Sequence, residues 1–138
     1  MHFKLIVDSC VWAFKHTHRD IADTGLKICL ALLKNISKSD TATANVFYQT
    51  FYLSLFTDVF YVLTDSEHKS GFQYQASILA HLFEIVESDS VKVPLFDVNK
   101  YPQITDNKTF LRDFLANMLS TTFTHLQRYI NRSLLSKY

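Results

Sequence analysis

The sequence predicts an all-α fold built from stacked antiparallel helix pairs. Three observations carry the prediction. Apolar residues recur with a period near 3.6 over several long stretches. Only two glycines and two prolines occur in 138 residues, which leaves room for long uninterrupted helices. A heptapeptide also recurs: Leu30-Ala31-Leu32-Leu33-Lys34-Asn35-Ile36 shares four identities with Leu79-Ala80-His81-Leu82-Phe83-Glu84-Ile85, 49 positions further on. Strand patterning is weak, because no segment alternates apolar and polar residues between regularly spaced turn signals.

The first helix carries Phe3, Ile6, Val7, Cys10, Val11 and Phe14 as one apolar stripe. The second carries Ala22, Gly25, Leu26, Cys29, Leu30, Leu33 and Ile36. Thr17-His18-Arg19-Asp20 between them has the Thr-x-x-Asp pattern of a capping box, with Asp20 at the positive end of the helix dipole. The two helices therefore fold back as an αα-hairpin whose stripes need a further neighbour. Ser37 to Thr41 is a polar turn with candidate caps. A long helix follows, from about Thr43 to Leu63. Leu53, Phe56, Val59, Phe60 and Leu63 form one apolar side, and Phe47, Phe51, Leu55 and Val62 the other. Such a helix packs in two directions. The segment from Thr41 to Thr57 has no charged residue, but Asn45, Gln49, Thr50 and Ser54 interrupt it. It reads as a buried inner helix rather than a membrane span, which needs about 20 predominantly apolar residues.

Thr64 to Ser70 is the next corner, with Ser70-x-x-Gln73 as a second capping box. The helix from about Gly71 to Glu87 directs Phe72, Ala76, Leu79, Leu82 and Val86 inward, and Gln73, Ser77, His81, Glu84 and Ser88 to the opposite side. Residues 89–107 hold both prolines and no helical stripe; a loop of that length is functional or mobile. Phe110, Leu111, Phe114, Leu115 and Met118 begin a third helix of the kind that opens each pair, and a shorter one, roughly His125 to Leu135, ends the chain. The organisation expected is a first pair over 1–38, a second over 41–88, a loop over 89–107 and a partial third pair over 108–138. A repeat of two helices with a period a little under 50 lies near the HEAT range of about 40–47 residues, where each unit buries its faces by stacking on the next. The fold class is thus an all-α HEAT-repeat superhelix, with two complete helical pairs and the start of a third.

Composition narrows the function classes. Apolar residues at 48% and charged residues at 20% make the chain globular, and its length fits one domain. With 14 basic and 13 acidic residues the net charge is +1, so no overall field draws the chain to nucleic acid or an anionic membrane. Cys10 and Cys29 sit on the apolar stripes without C-x-x-C spacing, as buried reduced thiols would. Lys4, Asp8 and Trp12 interrupt the run a signal peptide needs, and without secretion the triplets at Asn35, Asn107 and Asn131 are chance glycosylation matches. The best material for an enzyme is His16, His18, Asp20 and Asp23, a His-x-His with nearby carboxylates that could bind a metal. Capping already accounts for Asp20, and no phosphate loop, nucleophile elbow or zinc-helix motif occurs. The expectation is no catalytic residue, no cofactor and no metal.

Asp8-Ser9-x-x-Trp12-Ala13-Phe14-Lys15-His16-Thr17-x-Arg19-x-x-Ala22-Asp23-Thr24-Gly25-Leu26 resembles the C-terminal part of the exportin-1 family. These are nuclear export receptors of the importin-β, or karyopherin-β, type. Phe47-Tyr48-Gln49-Thr50, Val62-x-Thr64-Asp65, Ala76-Ser77-Ile78-Leu79-Ala80 and His125-Leu126-Gln127 continue the match in order. The resemblance covers residues 3–127, is lost over Arg128 to Tyr138, and reads as a segment truncated at both ends. It implies a non-catalytic binding module of a receptor that carries leucine-rich export-signal cargo with Ran-GTP, meets nucleoporins, and shuttles between nucleus and cytoplasm across the nuclear envelope. It also implies that second-layer helices near this point face the GTPase, which makes Gln73, Ser77, His81 and Glu84 the candidate contact. The alternatives are a small independent helical adaptor, an inactive remnant, or, last, a metal-dependent enzyme. Apolar faces left without a neighbour at either end imply self-association.

Overall fold

The computed structural model describes residues 3–121, with the side chains of all but residues 66 and 67. Every regular element among them is helical. Four α-helices come first: α1 (Phe3–Phe14), α2 (Arg19–Ser37), α3 (Thr41–Leu63) and α4 (Phe72–Glu87), with a 3-10 segment over Ser66–Gly71 joining the last two. A fifth, α5, runs from residue 107 to 121. The chain divides into two compact units, Met1–Asp97 and Val98–Tyr138. The expected helix over His125 to Leu135 lies outside the described residues.

In the first unit α1 packs on α2 and α3 on α4, while α2 also meets α4 and α1 meets α3. This is the two-layer arrangement of stacked helical pairs, α1 and α3 in one layer and α2 and α4 in the other. The 49-residue repeat is a repeat of core positions. Leu33 and Leu82 are both fully enclosed, Ile36 and Ile85 are both buried, and Cys29 matches Ile78. α3 lies between the pairs as its two-sided pattern requires, with Phe47, Phe56, Val59 and Val62 fully enclosed. By length and composition alone it could cross a membrane. Here its aromatic residues fill the core: Tyr52 donates to the Leu82 carbonyl, Phe56 meets Phe83 edge-on at 5.5 Å, and Phe47 meets Phe3 at 5.3 Å.

Two caps differ from expectation. The N-cap of α2 is His18, and no side chain bonds there; Thr17 and Asp20 form no capping box. Instead His16 Nδ1 accepts from the His18 backbone N–H at 2.9 Å, so an imidazole closes the corner. The N-cap of α4 is Gly71, not Ser70, again with no side-chain bond, because the preceding 3-10 segment carries the chain into the helix. At α3 the polar turn does supply a cap: Asp40 Oδ1 accepts from the Thr43 N–H at 3.2 Å.

Four faces also shift. Ile6 and Phe72, placed inward by periodicity, are exposed, at 42% and 60%. Leu30 is only half-buried, so Leu33 is the fully enclosed leucine of its turn. The core face of α4 runs through Gln75, Ile78, Leu79, Leu82, Ile85 and Val86. Tyr48 and Tyr52, absent from both expected stripes of α3, are almost fully buried.

The segment after α4 has no regular structure, but its first part is pinned. Asp89 takes a left-handed conformation, and Asp89 and Ser90 donate to the carbonyls of Val86 and Ile85, closing α4 with a Schellman motif. Val91 and Leu95 are buried, and the Lys92 backbone N–H donates to Asn45 Oδ1. In the second unit, Asp106 caps α5 through the Thr109 N–H at 2.7 Å, which holds its carboxyl below the usual range. Tyr101, Phe110 and Phe114 form an aromatic ladder there.

Candidate functional site

The outer stripe of α4 is where a partner is expected. Its register comes from the core: with Ile78, Leu82 and Ile85 held inward, Gln73, Ser77 and Glu84 must point out, and all three are exposed. Ser77 Oγ donates back to the Gln73 carbonyl at 2.9 Å, which leaves the Gln73 amide and the Glu84 carboxylate as the outward polar groups.

His81 is different. It is half-buried and reaches α2, where Nε2 lies 2.9 Å from Ser37 Oγ; that hydroxyl is 3.3 Å from Tyr48 Oη on α3. The chain Tyr48–Ser37–His81 thus ties three helices together. Burial lowers the His81 pKa from its ordinary value, opposed by a hydrogen bond to the Leu33 backbone; Lys34 pushes the same way as burial and Glu84 against it. Burial likewise raises the Tyr48 phenol, with the Ser37 bond working against it. This network borders an open hollow of about 490 Å3 whose lining also includes Ser39, Thr41, Ser88 and Ser90. Hydroxyls of that kind donate or accept as a partner requires. So the stripe read from sequence is brought together on one side of α4, but His81 serves the joint between pairs as well as the surface.

The four residues weighed as metal ligands are spread around the first corner. His16 is committed to the His18 N–H, Asp20 is exposed in the first turn of α2, and Asp23 Oδ2 lies 3.8 Å from Arg19 Nε. Among the described residues no group of three or more His, Cys, Asp or Glu side chains is placed to hold a metal. Cys10 and Cys29 are free and buried; burial raises both thiols, Cys29 up to about 12 with Cys10 adding to it, so neither is a thiolate at neutral pH.

Two features escaped the sequence reading. The first is an apolar groove of about 600 Å3 between α1 and α2, walled by Leu5, Ile6, Ile21 and Ile28. Leu5 was assigned to no face, although its 71% exposure makes it the most open large apolar side chain among those described. The second is a buried polar joint. His68 Nδ1 lies 3.1 Å from Asp65 Oδ2, and its Nε2 lies 3.3 Å from the carbonyls of Lys15 and His16. Gln75 Nε2 donates to the His68 carbonyl at 3.0 Å. A signal existed: Gln75 stands 49 positions after Leu26, a polar residue in a core slot of the repeat.

The chain is similar to known proteins over most of its length. The family described as "CRM1 C terminal" matches residues 1–136. The match passes Gln127, so the expected loss of resemblance is corrected over Arg128 to Ser136. Exportin-1 of Schizosaccharomyces pombe is 51% identical over 125 residues, covering 91% of this chain and 12% of that protein. EXPORTIN 1B of Arabidopsis thaliana is 44% identical over 124 residues, 89% of this chain and 11% of its own length. Exportin-1 of Drosophila melanogaster is 41% identical over 124 residues, with 90% and 11% covered. The chain spans about a ninth to an eighth of these relatives.

Proposed function

Because the chain belongs to the CRM1 C-terminal family, we propose that it acts as a non-catalytic binding segment of a nuclear export receptor, working inside a longer helical stack. The observation that carries the reading is the α4 surface: a polar stripe held outward by a core that repeats every 49 residues, in a chain whose relatives are named exportins. In such a receptor the exposed Gln73, Ser77 and Glu84 contact Ran-GTP, with His81 at the edge of the patch. Export-signal cargo is held by other repeats, nucleoporins are met in passage, and the assembly shuttles between nucleus and cytoplasm. No cofactor, nucleic acid or membrane enters this reading.

The test is a chimera in which this chain replaces the matching segment of fission-yeast exportin-1. Ran-GTP binding in the presence of an export peptide is expected to persist. Joint substitution Gln73→Ala, Ser77→Ala and Glu84→Ala is expected to weaken it about tenfold, or roughly 1.4 kcal/mol. Unchanged affinity removes the α4 stripe from the interface, and a folded chimera that binds no Ran-GTP ends the receptor reading. Alone, the 138-residue chain is expected to bind neither an export peptide nor Ran-GTP tightly, since one isolated patch lacks the avidity of several.

The groove between α1 and α2 favours a second reading, a small helical adaptor that self-associates. Its exposed Leu5, Ile6 and Ile28 form the kind of contiguous apolar surface that finds a partner. Light scattering at rising concentration is expected to show dimers or larger species, reduced by Leu5→Glu with Ile28→Glu. A clean monomer rejects this reading and also counts against a solenoid segment whose end faces are left without a neighbour.

A further inference from the structure

The buried joint beneath the two inter-helix corners contains a contradiction in hydrogen bonding. Gln75 is 1% exposed, and its Oε1 has no partner among the described residues; the same holds for Asp23 Oδ1. A buried acceptor left unmade is costly, and native folds nearly always satisfy it. Both side chains border one small, partly open space of about 20 Å3, together with His68, Ser70 and Gly71, and a single water requires about 10–15 Å3 by that measure. They also converge on Gly71, where an added Cβ would lie 3.1 Å from Gln75 Nε2 and 3.7 Å from Asp23 Oδ1.

We propose that this space is a binding site for one internal water molecule, which donates one hydrogen to Asp23 Oδ1 and the other to Gln75 Oε1. Water is the occupant whose chemistry fits. Two acceptors need two donors, and the cavity has room for one small molecule. Arg19 Nε lies 3.8 Å from the other Asp23 oxygen and already offsets that charge, which disfavours a second cation. The water joins α2 of the first pair to α4 of the second, on the side where Gln75 also holds the His68 carbonyl. This accounts for a polar residue in the slot that Leu26 fills 49 positions earlier. Gly71 is part of the same design, since a side chain there would also lie 2.8 Å from Leu26 Cδ1.

Two experiments on the full chain test the site. A crystal structure fine enough to show ordered solvent is expected to show one peak about 2.5–3.2 Å from both oxygens. A rubidium soak is expected to give no anomalous signal there. A rubidium peak would make the occupant a monovalent cation, and an unoccupied space, or a direct contact between Asp23 and Gln75, would equally overturn the proposal. In solution, Asp23→Ala and Gln75→Leu are each expected to raise the unfolding constant about 5- to 30-fold. With a shared water, the double variant should fall well short of the product of the two single effects; a double effect equal to the product counts against it. Gly71→Ala in the crystal supplies a control: loss of the peak alone, with the helices in place, confirms that the water is what the glycine leaves room for.

Discussion

The two helical pairs close by opposite means. In the first, α2 meets α1 through Gly25: a Cβ added there would lie 2.7 Å from both the Ala13 Cβ and the Phe14 backbone nitrogen. The helices touch nearly backbone to backbone. In the second, α3 and α4 are held apart by large rings, with Tyr52 stacked on Phe56 and Phe56 edge-on to Phe83. The first pair leaves an apolar groove between its own helices, whereas in the second pair α4 packs on both α3 and α2. One repeat unit thus tolerates two packing solutions. What stays constant is the second helix of each pair, where Leu33 and Leu82 occupy the same fully enclosed slot.

That constancy sets the largest expected effect. Leu33→Ala and Leu82→Ala should each destabilise by about 2–5 kcal/mol, through lost burial and the cavity left behind. Lys34→Ala and Glu84→Ala, on exposed faces, should stay within about 0.5 kcal/mol. Urea denaturation followed by circular dichroism measures all four. A large loss at one leucine and a small one at the other would mean that the slots are not equivalent.

The leucine pair also shows how much was legible beforehand. Periodicity and the 49-residue offset gave the helices, their order and most of the core, because burial of one face is written directly into spacing. Periodicity could not separate Leu30 from Leu33, since the two lie one turn apart and only the neighbouring helix decides which is covered. Phe72 was misplaced because it opens α4, where the 3-10 corner turns its side chain outward. The capping boxes at Thr17 and Ser70 failed for a related reason: the patterns were present, but a histidine and a glycine corner set the backbone instead. Of the candidate stripe, Gln73, Ser77 and Glu84 are exposed as read, whereas the bond from His81 to Ser37 joins residues 44 apart and has no local signature.

The next test breaks the contrast between the pairs. Gly25→Ala inserts a methyl where two backbones already touch, and should cost about 1–3 kcal/mol by forcing α1 off α2. Ala substitution at an exposed position of α2, such as Lys27, should cost far less. A neutral Gly25→Ala would show that the first pair is as adjustable as the second. Thermal unfolding of the two variants decides the point.

A smaller gain is expected at the end of the second pair. Asp89 holds φ near 56° to complete the Schellman motif, a conformation that strains a residue with a Cβ. Asp89→Gly should stabilise by up to about 1 kcal/mol, since the lost contact to Lys92 at 3.4 Å is an exposed ion pair of little value. A destabilised variant would mean that the Asp89 side chain, rather than the left-handed turn, secures the exit from α4.

The smallest effect is the pH dependence of the joint between α2 and α4. Burial lowers the His81 pKa in the folded chain relative to its ordinary value of 6.5. The unfolded chain therefore takes up a proton first as pH falls, and the folded state binds fewer protons than the unfolded state below about pH 6.5. Stability from the neutral ring is complete above that value and declines as pH drops towards the lower folded value. The groups facing the ring divide: Lys34 on α2 strengthens the trend, while Glu84 on α4 and the Leu33 backbone weaken it. Comparing urea midpoints at pH 7.5 and 5.5, the native chain should lose more stability than His81→Gln, which keeps a partner for Ser37 but cannot titrate. Equal losses would place the acid sensitivity elsewhere, and a native chain that gains stability on acidification would reverse the sign of the argument.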